Sequence, residues 1–251
     1  MNRIAILSLV VLSPLSSGCS FSVTGVPGSG VSKSESRELQ EFDQISLAGS
    51  GTLVVHCGEE TFLEVTADDN LLELIETTVE DGTLKIRFLE NVRPKIDPEF
   101  EIGMEGLKGV SISGSGSATI DQIEAEHLEL SISGSGEYLA SGTADDVSVK
   151  ISGAGQADLR KLQALTAKID ITGSGEVVVN AEKDLFAMIT GSGDIRYMKE
   201  PKIRKTIAGS GSVTPVSDES ANDEEINLES GEKSSESESD SKSSDEEEES
   251  D

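Results

Sequence analysis

The stretch Ile132-Ser-Gly-Ser-Gly136 decides the fold, because close copies of it recur through the second half of the chain. The six copies begin at Ile112, Ile132, Ile151, Ile171, Ile189 and Ile207, and their first glycines are 20, 19, 20, 18 and 18 residues apart. A fixed period of about 19 residues is typical of a solenoid, in which successive coils stack on one another. A further glycine-serine-glycine tripeptide at 49–51 marks an earlier coil.

Apolar and polar residues alternate on both sides of each tripeptide. Val110, Ile112, Ala118 and Ile120 share one phase, and both glycines of the tripeptide between them fall in that phase. Because side chains alternate between the two faces of a strand, we expect the glycines to face inward, where a narrow interior or a bend leaves no room for a Cβ atom. The serine between them is expected to face outward. Two and three strands per coil both fit this spacing.

The pattern predicts one all-β domain over residues 37–216, built on a parallel β-helix or solenoid. Apolar content is 35%, aromatic content is 3% and there is no Trp, so the core must consist of Ile, Val, Leu and Ala. Asp81-Gly82 between two alternating runs predicts a hairpin, and Asp68-Asp-Asn70 before a leucine-rich run predicts a capped helical turn. Both features interrupt the repeat. We therefore expect an antiparallel elaboration near the N-terminal end of the stack.

Residues 1–18 resemble a bacterial lipoprotein signal peptide, with Arg3, an apolar run and then Leu15-Ser-Ser-Gly-Cys19. The resemblance implies a lipid on Cys19 and attachment to a membrane of the bacterial cell envelope, on its periplasmic face or at the cell surface. Ordinary cleavage and secretion is the alternative, since Leu15 lies four residues before Cys19 rather than three. Residues 19–36 are predicted to be a flexible tether. Cys57 is then the only other thiol, and we expect it to be buried and inert.

Residues 217–251 are predicted to be a disordered acidic tail. Residues 218–251 contain 16 Asp or Glu and 2 Lys, a net charge of -14, which is half of the -28 carried by the whole chain. Such a segment cannot bury enough apolar surface to fold alone. It is either a solvated extension or an electrostatic bumper that keeps the last coil from pairing with another molecule. The overall charge excludes nucleic acid, which proteins bind mainly through Lys and Arg.

Four motifs in a fixed order resemble the auto-transporter adhesin, head GIN domain family. They are Gly49-Ser-Gly51, Ala67-Asp-Asp-Asn-Leu-Leu72, Glu80-Asp-Gly-Thr-Leu-Lys-Ile86 and Val110-Ser-Ile-Ser-Gly-Ser-Gly116. The similarity covers roughly residues 37–216. It implies an exported envelope protein with a β-helical fold, and it transfers no catalytic residues because the family has no agreed site.

Outward-facing hydroxyl groups form the candidate contact surface. One column precedes the first glycine of each tripeptide, and a second lies between the two glycines. The first column is Ser113, Ser133, Ser152, Thr172 and Thr190, and the second is Ser115, Ser135, Ser174, Ser192 and Ser210, interrupted by Ala154. A repetitive surface suits a glycan or an envelope protein held by many weak contacts. Hydrogen bonding along the ladder is the alternative role for these hydroxyls.

The sequence predicts no catalytic residue, metal site or cofactor. Glu176 and Asp194 occupy equivalent positions on successive coils, where they would repel unless a cation or a raised pKa relieves them. His56 and His127 lie in unrelated segments without partners in their patterns. These features favour a non-catalytic adhesion or binding module. The alternatives are a structural or signalling envelope protein without an external ligand and a solenoid enzyme that processes polysaccharide.

The lipid anchor has a direct test. If Cys19 is the acylated first residue of the mature chain, intact mass spectrometry of the membrane fraction will show a diacylglycerol adduct on Cys19. A mature chain in that fraction with an unmodified Cys19 would contradict the anchor.

Overall fold

A computed structural model describes residues 25–216. The described residues form seventeen strands and one short 3₁₀ helix, Leu72–Leu74. The strands are β1 (Val26–Pro27), β2 (Ser32–Ser36), β3 (Gln44–Gly49), β4 (Thr52–Cys57), β5 (Phe62–Asp68), β6 (Ile75–Glu80), β7 (Thr83–Phe88), β8 (Val92–Arg93), β9 (Glu99–Met104), β10 (Gly109–Gly114), β11 (Ser117–Gly134), β12 (Glu137–Gly153), β13 (Gln156–Gly173), β14 (Glu176–Gly191), β15 (Asp194–Met198), β16 (Lys202–Gly209) and β17 (Ser212–Pro215). The predicted signal peptide (1–18), Cys19 and the acidic tail (217–251) lie outside the described residues.

The strands form a parallel β-solenoid of about five turns, which confirms the predicted fold. The coils stack in the order β7, β3, β10, β11, β12, β13 and β14, and β14 is followed by β15 and β16. Each of β11 to β14 runs from one tripeptide to the next. The tripeptide itself is a corner at which one strand ends and the next begins.

Each long strand bends around three sides of the solenoid. β11 pairs with β12 over residues 117–120, 123–125 and 127–134, and the pairing is lost between these segments. Gln122 adopts a φ of 54° at the first of these breaks, which is the left-handed conformation of a tight bend. A coil therefore contains three strand segments, the larger of the two numbers that the spacing allowed.

The core consists of columns of equivalent apolar side chains. The central column contains Ile112, Ile132, Ile151, Ile171 and Ile189, which pair in succession and are each at most 2% exposed. Burying one such side chain contributes roughly 1.5 to 3 kcal/mol. No single coil holds enough of them to be stable alone, so the coils depend on their neighbours.

A second core column contains two fully buried aromatic side chains, Phe100 and Tyr138. Tyr138 is the one that lies among the repeated coils. It stacks between Ala118 and Ala157, so a ring fits between two small residues. Its hydroxyl lies 2.7 Å from the carbonyl oxygen of Val110 and 2.9 Å from that of Ser131, so its proton has acceptors inside the core. Burial raises the pKa of Tyr138, and the phenol stays neutral.

The two glycines of each tripeptide have different roles, which corrects the prediction that both face the interior. Gly175 is buried, and a Cβ atom there would lie 2.7 Å from the Cγ2 atom of Ile151 in the preceding coil. Gly173 instead lies at the corner with a φ of 126°, and its Cβ would overlap the carbonyl group of Gly153. The bend and the close stacking of coils thus require glycine at the first position. The narrow interior requires glycine at the second position only.

The predicted tether is wrong for residues 25–36, because this segment belongs to the folded domain. β1 pairs with β8, and β2 runs antiparallel to β5. All five residues of β2 are exposed, so the strand is held by backbone hydrogen bonds rather than by burial. A strand of this kind has no apolar alternation by which its sequence would reveal it.

The predicted hairpin is present, and the predicted helical turn is present without its cap. β6 and β7 pair antiparallel across Asp81 and Gly82, whose φ angles are 51° and 74°. Asp68 is buried, and its carboxylate accepts backbone N–H groups from Gly30 (2.6 Å), Lys95 (2.9 Å) and Ile96 (3.2 Å) instead of capping the 3₁₀ helix. Burial alone would raise the pKa of Asp68, but these three donors outweigh it and hold the pKa below its ordinary value of 3.8.

Adding a methyl group to the first glycine of a corner is expected to destabilise the stack. Gly173→Ala forces a Cβ into the Gly153 carbonyl at a strained φ, which should lower the free energy of unfolding by about 3 kcal/mol in urea denaturation. Ser174→Ala is the matched control, because the equivalent position already holds Ala154, and it should be nearly neutral. Equal effects of the two substitutions would contradict the role given to the first glycine.

Asp68 should make the domain sensitive to acid. Its pKa is lowered by folding, so the stability that it contributes is present above pH 3.8 and is lost as the pH falls through the lower folded-state value. Asp68→Asn should lower the melting temperature at pH 7 and flatten its fall between pH 5 and pH 3. Asp97→Asn, an exposed change nearby, should leave both unchanged. If the melting temperatures of Asp68→Asn and the parent fall equally between pH 5 and pH 3, Asp68 is not the source of the acid sensitivity.

Candidate functional site

We call the ten hydroxyl-bearing residues predicted above the hydroxyl strip, and the structure places them along the tripeptide corner of the solenoid. Ser113, Ser133, Ser152, Thr172 and Thr190 pair directly with one another in successive coils. The second column is aligned by the backbone, since each middle residue donates its N–H to the first glycine of the preceding coil, as Ser174 does to Gly153 at 2.8 Å. Neighbouring hydroxyl groups in a column are thus about one strand spacing apart, ~4.8 Å, except that Ala154 leaves a gap of two spacings between Ser135 and Ser174.

All ten residues of the hydroxyl strip are exposed. None of their hydroxyl groups forms a hydrogen bond to another residue in the range 25–216. The backbone N–H and C=O groups at the corner make the hydrogen bonds between coils, so the side chains are not needed for that purpose. The strip therefore presents two columns of unused donors and acceptors to solvent.

The column beside the strip contains the two acids that were expected to repel each other. Glu176 and Asp194 do pair in register, but each has its own partner. Glu176 forms an ion pair with Arg196, and Asp194 accepts hydrogen bonds from the backbone N–H (3.0 Å) and hydroxyl (2.7 Å) of Ser212. Across the described range, no three potential ligands come close enough together to hold a metal ion.

Both histidines have acidic partners on adjacent coils, contrary to the prediction that they lack partners. His56 Nδ1 lies 3.1 Å from an Asp121 carboxylate oxygen, with Glu101 3.8 Å from Nε2, and His127 Nδ1 lies 3.1 Å from Asp146. These contacts join residues that only the stacking of coils brings together. Cys57 is buried, as predicted, and burial together with the charge of Asp121 raises its pKa to about 11. A thiol in this state is a poor nucleophile.

Sequence reasoning missed a groove of about 960 Å³ on another side of the solenoid. Its lining includes seven acidic residues and two lysines, together with His127 and the ring of Phe186. The groove forms where the loop around residues 105–108 meets the outer surface of successive coils. The sequence did contain one indication of this groove. His127, Asp146 and Thr166 recur at the period of the solenoid and form an outward column that lines it.

Residues 41–201 match the family described as "Putative auto-transporter adhesin, head GIN domain". The chain belongs to this family. The match confirms the resemblance seen in the four sequence motifs, and family membership supports a location in the cell envelope or at the cell surface. The search of curated protein sequences gave no match.

Solved structures share the fold of this head GIN domain. A putative adhesin from Bacteroides fragilis NCTC 9343 is 22% identical, with a TM-score of 0.65 over 76% of this chain and 100% of that chain. A protein from Parabacteroides distasonis ATCC 8503, named as a putative lipid binding protein, is 26% identical, with a TM-score of 0.55 over 77% of this chain and 100% of that chain. Within the described residues, no helix has the length and apolar character needed to cross a membrane.

Proposed function

We propose that this protein is a non-catalytic binding module of the bacterial cell envelope. A lipid on Cys19 attaches it to the membrane, and the hydroxyl strip binds a glycan or an envelope protein. The observation that carries the proposal is the alignment of ten exposed hydroxyl groups in two columns without partners in the described domain. Membership of the head GIN family supports the compartment and the adhesive role.

The chemistry of the strip suits a ligand that is itself a repetitive array of hydroxyl groups. Each Ser or Thr hydroxyl donates one hydrogen bond and accepts others, as the hydroxyl groups of a glycan do. A single hydrogen bond contributes a net ~0.5 to 1.5 kcal/mol, so one coil alone binds weakly. Five coils in a row present the same contact repeatedly, and the affinity grows with the number engaged at once.

Catalysis does not form part of the proposal because the family to which the chain belongs is described by adhesion rather than by an enzymatic activity. His56 and His127 lie on different coils and each is next to an acid, and Cys57 is buried with a raised pKa. A structural or signalling role without an external ligand is the main rival. The two are distinguished by whether the strip is needed for binding.

Blocking the strip should weaken binding strongly while leaving the fold intact. Ser135, Ser174 and Ser192 are replaced together by Gln, whose longer side chain covers the neighbouring hydroxyl groups. Binding of the lipoprotein to isolated envelope and matrix polysaccharides, and to envelope extracts, is then measured by biolayer interferometry. Loss of three hydrogen bonds should weaken binding by at least about tenfold.

The matched control replaces three exposed threonines away from the strip, Thr119, Thr143 and Thr214, with Gln. This control should bind as the parent does, and both variants should keep the parent's circular dichroism spectrum and melting temperature. Unchanged binding by the strip variant, with the fold retained, would exclude the strip as the contact surface. Turnover of any polysaccharide by the parent would instead favour an enzyme.

A further inference from the structure

The two ends of the solenoid differ in how their strand edges are covered. At the first end, the antiparallel strands β2, β5 and β6 cover the coil formed by β7 and β9. At the last end, β16 pairs only with β14 and β17 only with β15 within residues 25–216. Seven of the eight residues of β16 are exposed, including Ile207 at the end of the isoleucine column. An open edge of this kind is a template for pairing with another chain.

Positive charge gathers at this open end although the chain as a whole is strongly acidic. Residues 199–216 contain four cations, Lys199, Lys202, Arg204 and Lys205, against the one acid Glu200, a net charge of +3. Arg204 lies 3.7 Å from Asp184 and stacks on Phe186. The three lysines are exposed and have no acidic partner among the described residues. They form what we call the cationic end.

Lys205 has an unusual position within the cationic end. It pairs with Ala187 and so occupies a core column that Val149 and Ile169 fill in earlier coils. An ammonium group thus stands where the next coil would need an apolar side chain. The last coil is therefore chemically unsuited to continue the stack but well suited to receive carboxylates.

The acidic segment of the same chain begins at this place. The Val216 N–H donates to the carbonyl oxygen of Tyr197 at 2.9 Å, which fixes the chain on the last coil. Residues 218–251 follow with a net charge of -14. Even ten extended residues span about 33 Å, which exceeds the ~26 Å length of an eight-residue strand such as β16. The acidic segment can therefore reach the whole open edge.

We propose that residues 218–251 bind the cationic end through Lys199, Lys202 and Lys205 and cover the open edge of β16. The carboxylates supply the negatively charged partners that these lysines lack in the folded domain. Because the segment is covalently attached, its effective concentration at the cationic end is high, and weak contacts suffice. The segment is rich in Ser and Glu and poor in β-branched and aromatic residues, so charge pairing rather than strand addition holds it. This inference is independent of the hydroxyl strip.

Amide hydrogen exchange of β16 in the full mature lipoprotein tests the proposal. Because salt screens charge pairs, the β16 amides should exchange more slowly in 50 mM NaCl than in 500 mM NaCl, by a factor of about three or more. Replacing Lys199, Lys202 and Lys205 with Gln should remove this dependence on salt. Replacing Lys33, Lys85 and Lys150 with Gln changes the net charge equally and should preserve it. A parent protein without the salt effect, or an end variant that retains it, would overturn the proposal.

Carbodiimide cross-linking identifies what occupies the end. In a mixture of ¹⁴N- and ¹⁵N-labelled protein at 50 mM NaCl, carboxylates of residues 218–251 should link to Lys199, Lys202 and Lys205 within one chain, and these links should decline at 500 mM NaCl. Links that join light and heavy chains would show that a second copy occupies the cationic end. Links spread evenly over Lys33, Lys85, Lys150 and the end lysines would show that the segment has no preferred site. Either result would contradict the proposal.

Discussion

One close approach between backbones underlies the whole stack. At each corner, the carbonyl group of a first glycine occupies the space where the first glycine of the next coil would carry its Cβ. The same carbonyl oxygen accepts the N–H of the next middle residue, as Gly153 does from Ser174 and Gly173 from Ser192, both at 2.8 Å. Only glycine combines this approach with φ angles near 130°. The corner therefore fixes both the direction of the turn and the distance between coils.

The surface chemistry follows from this constraint. With every coil turning at the same place, residues about 19 positions apart become neighbours, and the hydroxyl strip is the direct product. The same stacking joins Glu176 with Arg196 and His127 with Asp146. The solenoid thus converts a periodic sequence into linear surface features, and the proposed binding role uses one of them. The cationic end arises where the period stops and Lys205 replaces an apolar core residue.

The sequence was informative where structure repeats or where a turn has strong local chemistry. The tripeptide period gave the parallel solenoid, and Asp81-Gly82 gave the hairpin. The sequence was uninformative where contacts between distant parts of the chain determine the local structure. β2 is held by backbone hydrogen bonds to β5, and its side chains are not buried. The Asp68 carboxylate accepts hydrogen bonds from the backbone N–H groups of Gly30, Lys95 and Ile96 instead of capping the adjacent helical turn. The His56–Asp121 contact spans 65 residues because a non-repeating segment lies between these neighbouring coils in the chain.

The columns of the hydroxyl strip were predictable residue by residue because they depend only on the period and on strand alternation. The inward orientation predicted for the first glycine was wrong because its positive φ at the corner aims the Cβ position at the carbonyl group of the preceding coil rather than at the interior. The acidic groove and the cationic end depend on which elements meet at a surface, which period alone does not specify.

Distances between paired spin labels test the stacking most directly. A label at position 113 is combined in turn with one at 172, 190 or 208, positions three, four and five coils along one column; the buried Cys57 should escape labelling. Electron spin resonance should give separations that increase by about 4.8 Å per coil, to roughly 24 Å for the last pair. Separations that do not increase with coil number, as in an up-and-down meander, would contradict the account.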